Sequence, residues 1–511
     1  MTLQRALTVL LALAFMMPTV YFLLKALLGV TGRFVAAVWC APPIAILLIV
    51  NYRLHLHLLL LGFVLPFTLP PILGHRPISF ATLIPMIVFA SAIARLCLGH
   101  RSRVTTDRRL DMPLLLISGM IIGWNIADRP GMASMGAETG GAWEAVLAVA
   151  GIAAYWGARA LRDQTHNWRR ISVVLFWACV LSLLWVTLEN IVKHVPVSDA
   201  VSNLFWPTGW WFYGLLLGYT IKVLRSRRSM VRDVPMLLTI GFIMFNAIMS
   251  GFRSRILFAP MMIAAALWAG GLRRRMAIAL LIFIAACLLL ANSGMFEKVP
   301  ARARRVLSVV RVDTQTRLSI SMYGHGEMGW KSQWRAELWK RGWQAVREKP
   351  FAGRGYAFDS SGLLADLASA TTFYEATMRG VATAGQFHNL PLNLMFFCGI
   401  PVAVLFCFAW IVGLVHLVRL ATESGGWKGA FLVAMLVYIV PETGQALMNG
   451  SGEDFIAICT WLGIIQAIRS ATLREAEEKK AEQTQAADGT IQSLTVSELD
   501  RAVPARSDTP E

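Results

Sequence analysis

Charge is what this sequence has least of: only 15% of its 511 residues are Asp, Glu, Lys or Arg, where an ordinary soluble domain carries about 25%. With 56% apolar residues beside so few charges, the chain lacks the polar surface of a cytosolic enzyme. Cysteine is sparse as well. The seven cysteines, Cys40, Cys97, Cys179, Cys287, Cys398, Cys407 and Cys459, sit within or at the edge of apolar runs with no CxxC pair, which excludes a disulfide framework and a zinc site. Acidic residues are the scarcer sign, 30 against 48 Lys and Arg, a net charge of +18. That surplus would suit nucleic acid only if it gathered on one soluble face. It lies instead in short clusters between apolar runs, 101-RSRVTTDRR-109, 225-RSRR-228 and 273-RRR-275, so no nucleic-acid partner is expected. HExxH, DxD and clustered-carboxylate patterns are missing too, so neither a metal nor a cofactor is expected.

What recurs along most of the chain is apolar runs of roughly 17 to 25 residues, each long enough to cross a hydrocarbon core of about 30 Å. Mean hydropathy is +0.56. Spans are expected near 6–27, 34–50, 55–73, 78–97, 113–128, 142–161, 171–188, 207–224, 234–251, 256–271, 276–293, 390–418, 429–447 and 455–470. Prolines in the third and fourth, with the polar break 74-GHRP-77 between them, leave a re-entrant pair open. The fold class is therefore all-α: a polytopic integral membrane protein of 12–14 transmembrane helices with one large periplasmic loop containing short helices. Lys25 and the lack of a small-x-small cleavage site make the N-terminal run an uncleaved anchor.

Placing the N-terminus inside puts 98–112, 162–170, 225–233 and 272–275, all basic, in the cytoplasm, as the positive-inside rule demands. The chain then divides into an N-terminal transmembrane bundle (1–294), a large periplasmic loop (295–388), C-terminal transmembrane helices (389–471) and a cytoplasmic tail (472–511), disordered or beginning as a helix. In the loop, 333-QWRAELWKRGWQAVREKP-350 repeats Trp334, Leu338, Trp339 and Trp343 at helical spacing up to Pro350. This predicts an amphipathic helix, either lying at the membrane surface or packed against the rest of the loop.

Arginines outside the cytoplasm run against the charge rule, and each needs an anion or solvent beside it. At 250-SGFRSR-255 the chain turns between two spans on the outer side, leaving Arg253 and Arg255 at the depth of a lipid phosphate. Guanidinium is a fixed cation with a planar fork suited to phosphate; headgroup snorkelling or an internal ion pair is the plainer alternative. Arg335 is another candidate among many basic residues of the loop. Of the outer histidines, His75, His194, His325 and His388, only His388 stands where the polar loop enters a span, in 385-GQFHNLPLNLMFFCGIP-401. A neutral imidazole there can take a proton from a hydroxyl at the membrane surface, or simply cap the helix.

Together these segments resemble the O-antigen ligase and O-antigen polymerase superfamily of bacterial envelope glycosyltransferases. Ser254-Arg255 is similar to the family's Ser-Arg pair, and Arg335, Trp339, Pro350, Gly353 and Gly355 to its R-x3-W and P-x2-G-x-G pattern. His388-Asn389, nine residues, then Gly399-Ile400-Pro401 resembles the ligase signature, whose last position, Gly, Thr or Tyr in ligases, is Val402 here. Ligase and polymerase branches thus both stay open.

The resemblance implies a metal-independent, inverting glycosyltransferase of the bacterial inner membrane. It would move a glycan from an undecaprenyl pyrophosphate donor to an acceptor hydroxyl, on lipid A-core or another glycan, at the periplasmic face, with membrane lipid as its surroundings. In it Arg255 and Arg335, with Arg253, would bind the pyrophosphate, His388 would be the catalytic base, and Asn389 would hold the imidazole or the sugar. The competing reading, a transporter or flippase of lipid-linked sugars, requires ionisable residues around a midplane cavity. Arg95 and Lys222 lie instead near the inner ends of their spans.

Overall fold

The computed structural model describes residues 55–64, 68–69, 78–97, 107–128, 139–140, 142–161, 167–192, 208–223, 233–249, 255–299, 303–304, 307, 327–359, 369, 379–380, 382 and 385–502. Over these residues the chain is an all-α polytopic membrane protein. The helices are α1 (His55–Val64), α2 (Phe80–Cys97), α3 (Arg108–Asp128), α4 (Ala142–Arg159), α5 (Trp168–Val192), α6 (Thr208–Lys222), α7 (Asp233–Met249), α8 (Arg255–Ala269) and α9 (Arg273–Asn292). After them come α10 (Glu327–Glu348), α11 (Leu390–Cys398), α12 (Ile400–Glu423), α13 (Gly426–Asn449) and α14 (Gly452–Ala502). Two antiparallel ladders of two residues a side accompany them: β1 (Thr68–Leu69) with β2 (Ile78–Ser79), and β3 (Thr139–Gly140) with β4 (Phe358–Asp359). The second ties the start of α4 to the loop that follows α10.

Five described helices are long and apolar enough to cross a membrane: α5, α9, α12, Gly426–Met448 of α13 and Gly452–Gln485 of α14. His55–Val64, Thr82–Ala94, Val234–Ile248 and Leu257–Ala269 are apolar but shorter. The expected spans 6–27 and 34–50 lie outside the described residues. Trp177, Leu181, Leu184 and Leu188 of α5 and Leu281, Ile282 and Leu289 of α9 are each more than half exposed. In water that would be an aggregation surface; against hydrocarbon it is the ordinary outer face of a span.

Inside the bundle, small residues bring backbones together, as helix association in lipid requires. A Cβ on Gly214 of α6 would stand 2.7 Å from the Ala434 carbonyl of α13, and one on Gly463 of α14 would stand 2.5 Å from that of Tyr155 in α4. Around these contacts sit Trp211, Tyr438 and Trp461, with ring centroids 5.0 to 5.3 Å apart.

One end of the bundle is closed by charge. Arg159 at the end of α4 bonds both oxygens of Asp111 in α3, at 3.1 and 3.3 Å, and Tyr155 donates to the same carboxylate at 2.5 Å. Next to them, Asp107 pairs with Arg469 of α14, and His416 Nε2 of α12 lies 3.3 Å from it. Four helices are joined there through two carboxylates.

One expectation is corrected and another is narrowed. The single span expected at 390–418 is two helices, α11 and α12, broken at Gly399. Gly399 has φ +90°, its N–H closes α11 on the Met395 carbonyl at 2.9 Å, and Ile400 N–H bonds the Pro350 carbonyl at 2.7 Å instead of continuing the helical ladder. Apolar residues run unbroken through this point, so hydropathy cannot show the break. The tail, expected from 472 to be disordered or to begin as a helix, continues α14 as helix to Ala502. Its Ala, Glu, Lys and Gln are strong helix formers, and extending an existing helix avoids the cost of nucleation.

Candidate active site

Where α10 ends at Glu348, the stretch Pro350–Gly355 lays itself along the α11–α12 break. Arg354 N–H donates to the Phe396 carbonyl at 2.7 Å and Gly355 N–H to that of Phe397 at 2.9 Å. With the Ile400–Pro350 bond, these make a backbone clamp between the two glycine-bearing motifs. Gly353 (φ +71°) has no room for a side chain, since a Cβ would stand 2.5 Å from the Phe397 carbonyl, and one on Gly399 would collide with the Phe351 carbonyl. The glycine pattern is thus required twice over, by left-handed backbone and by close approach. Tyr356 continues the contact, its ring stacked on Phe397 at 4.9 Å and its hydroxyl 3.3 Å from Cys398 Sγ. Burial, with Cys398 and Glu144 beside it, raises the Tyr356 hydroxyl well above its usual pKa, so it stays neutral.

The clamp supports one turn of chain, Gly385 to Asn389, leading into α11. Phe387 is its anchor: the side chain is fully buried, its N–H donates to Asn393 Oδ1 at 3.0 Å, and its carbonyl accepts from Trp339 Nε1 of α10 at 2.8 Å. Asn393 Nδ2 goes on to the Gly450 carbonyl at 3.1 Å. Asn389 caps α11, accepting from Leu392 N–H at 2.9 Å, and its Nδ2 donates to the Leu447 carbonyl of α13 at 3.0 Å. Gln386 Nε2 donates to Glu144 Oε1 of α4 at 3.0 Å. Between these bonded neighbours His388 has φ +52°, and among the described residues it is the non-glycine with positive φ. Such a conformation costs roughly 1–3 kcal/mol and persists only where the surroundings impose it, as at functional sites.

His388 borders a cavity of about 330 Å³, also lined by Glu144, Tyr356, Gln386, Asn393 and Glu453, with Phe397 and Phe455 among its apolar walls. That is the lower end of the range of ligand sites, about 300–1,000 Å³. Polar groups that accept and donate around an aromatic surface suit a hydroxylated ring.

The structure brings together some of the residues singled out from sequence and leaves others undescribed. His388, Asn389, Trp339, Pro350, Gly353 and Gly355 meet in one assembly. Arg335 is half-buried on α10, one helical turn before Trp339. Arg255 is the first residue of α8; its side chain, together with Arg253, His75, His194 and His325, lies outside the described residues. The amphipathic helix predicted over 333–350 is α10, and it packs on the turn before α11 and on α11 itself: Leu338 and Val346 are buried, Gly342 sits against Phe387 and Leu392, and Trp343 is 42% exposed. Sequence reasoning missed Glu144, Gln386, Asn393, Tyr356 and Glu453. Asn393 and Glu144 carried a usable signal, because a polar residue inside or at the edge of a span is costly and marks function.

Residues 237–407 match the family model described as O-antigen ligase. No curated protein matches the chain. The matched segment starts in α7 and ends in α12, so it contains Arg335, the clamp and the His388 turn, while Glu144 and the Gly450–Phe455 wall of the cavity lie beyond it.

Proposed function

We propose, from the match of residues 237–407 to the O-antigen ligase family model, that this chain transfers a glycan from undecaprenyl pyrophosphate to an acceptor hydroxyl at the periplasmic face of the inner membrane. The observation that carries this reading is His388, held in a left-handed turn at the edge of the cavity. In the reaction, neutral His388 takes the proton of the acceptor hydroxyl as that oxygen attacks the anomeric carbon. The bond from that carbon to the pyrophosphate oxygen breaks, undecaprenyl pyrophosphate leaves with the electron pair, and the attack inverts the anomeric configuration. Positioned proton transfer of this kind contributes about 10² to 10⁴ in rate.

The leaving group accumulates negative charge, and fixed cations aimed at it lower the barrier. Arg335 is suited to this role by position, since it shares a helix face with Trp339, whose indole holds the carbonyl beside His388. Arg255 is suited by standing at the N-terminus of α8, where the helix dipole adds to its charge. One turn on, Phe258 packs on Gly444 of α13, not far in sequence from the Leu447 and Gly450 carbonyls that hold the His388 turn. Arg253 belongs to the same segment. Asn389 contributes by fixing the turn, through the bonds to Leu392 and Leu447.

The test is deletion of the gene and complementation with wild type or His388→Ala, reading the lengths of glycan on the lipid carrier and on lipid A-core. Long chains on the carrier with bare core identify transfer to core. Single repeats on either identify joining of lipid-linked repeats. Unchanged pools in both strains would overturn the proposal.

A further inference from the structure

The His388 turn is held from several sides, and all but one of its named ties come from elements between α10 and α14. Trp339 and Asn393 fix the backbone of Phe387, and Asn389 reaches the end of α13. The exception is Gln386, whose amide donates to Glu144 Oε1 across 242 positions of sequence at 3.0 Å. Glu144 stands in the first turn of α4, where an acidic side chain already interacts well with the helix dipole. A carboxylate serving only that end would have no reason to be aimed at a distant loop, yet this one meets Gln386, two residues before His388, and shares the cavity with both. The helix that carries it is unusually well fixed. Arg159, fifteen residues further along α4, is locked to Asp111, and Gly151 and Gly463 bring α4 and α14 into direct contact. Glu144 is therefore an acceptor on a fixed helix, and its partner belongs to the segment with the strained backbone. A left-handed non-glycine residue relaxes once its neighbours allow it, and the bond to Gln386 opposes that relaxation from the side of α4.

We propose that Glu144 is a positioning residue for His388: through Gln386 it holds the Gly385–Asn389 turn in the conformation that aims the imidazole into the cavity. The proposal rests on the reading of His388 given above. It extends the working site to α4, outside the segment that matches the ligase family.

Two measurements test it, one of them independent of activity. On purified full-length protein, hydrogen exchange of the segment containing 385–389 is followed by mass spectrometry in wild type, Glu144→Ala and Glu144→Gln. Exchange is expected to accelerate in Glu144→Ala and to return toward wild type in Glu144→Gln, since a glutamine oxygen still accepts from Gln386. In a transfer assay with the lipid-linked glycan that accumulates in the deletion strain, Glu144→Ala should lower kcat on the order of 10- to 100-fold, the scale of a small misplacement of a catalytic group, with KM for the donor unchanged. Gln386→Ala should match it, and the double variant should be no worse than either single one, as expected of two residues acting through one bond. Wild-type exchange in Glu144→Ala overturns the proposal, as does Glu144→Gln as impaired as Glu144→Ala, which would assign the effect to charge. A raised KM with undisturbed exchange also overturns it and makes Glu144 a substrate contact. His388→Ala is run alongside: retained transfer there removes the assigned role of His388, while the exchange result still decides whether Glu144 holds the turn. Should Glu144→Ala fail to accumulate, Gln386→Ala is read in its place, with the same expectations.

Discussion

The two ends of α4 are held by different physics. At its C-terminal end Arg159, Asp111, Tyr155, Asp107, Arg469 and His416 join α3, α4, α12 and α14 through buried charge. At its N-terminal end, roughly 22 Å away at 1.5 Å per residue, the structure is held by backbone amides, side-chain amides and glycines that leave no space for a Cβ. The first arrangement resists separation of helices and tolerates small shifts, because a charge pair is long-ranged. The second fixes direction within tenths of an ångström, because hydrogen bonds and van der Waals contacts are short-ranged. Stability is concentrated at one end and aim at the other, a division that suits the role proposed for His388.

That contrast can be broken, most sharply at His388. His388→Ala should lower transfer by about 10² to 10⁴ with normal melting in detergent, since the side chain borders a cavity; a large drop in melting temperature would make His388 a structural residue. Next comes Arg159→Leu, which leaves Asp111 buried without its cation and should cost about 3–5 kcal/mol of stability, read by thermal unfolding in detergent, while the rate per folded molecule is kept. A third substitution, Gly399→Ala, forces a left-handed backbone on alanine at about 1–3 kcal/mol and drives its Cβ into the Phe351 carbonyl. Unlike Arg159→Leu, it should lower the rate per folded molecule together with stability, because it displaces the clamp under the His388 turn. The smallest effect is expected from Lys428→Met, which breaks the pair with Glu475 at 3.7 Å and the bond to Thr472 at 3.0 Å. Such partly exposed pairs contribute about 0–1 kcal/mol, and transfer should be unchanged.

Much of the fold was legible in the sequence, and the boundaries show why. The runs at 113–128, 171–188 and 276–293 correspond to α3, α5 and α9 within a few residues, because apolar length is a direct consequence of bilayer thickness. The break at Gly399 was not legible: the glycine that makes it sits in continuous apolar sequence, and its cause is Pro350, 50 positions away. The tail was legible only in part, since low hydrophobicity argues against a packed core but not against a helix already nucleated upstream. At the site, the resemblance selected His388, Arg335 and the glycines. It was silent on Glu144 and Asn393, whose importance arises from partners 242 and 57 positions distant.

By itself, then, the sequence determined that this chain is a helical membrane protein and which imidazole stands where its long polar segment meets an apolar run. These follow from composition, run length and local motif, all properties of neighbouring residues. Only the tertiary structure decided that the Pro350–Gly355 and Gly399 motifs are two halves of one clamp, that His388 is held left-handed, and that a carboxylate from α4 reaches its turn. Those are matters of which distant groups come within about 3 Å of one another, the range at which a hydrogen bond forms, and no local pattern encodes that distance.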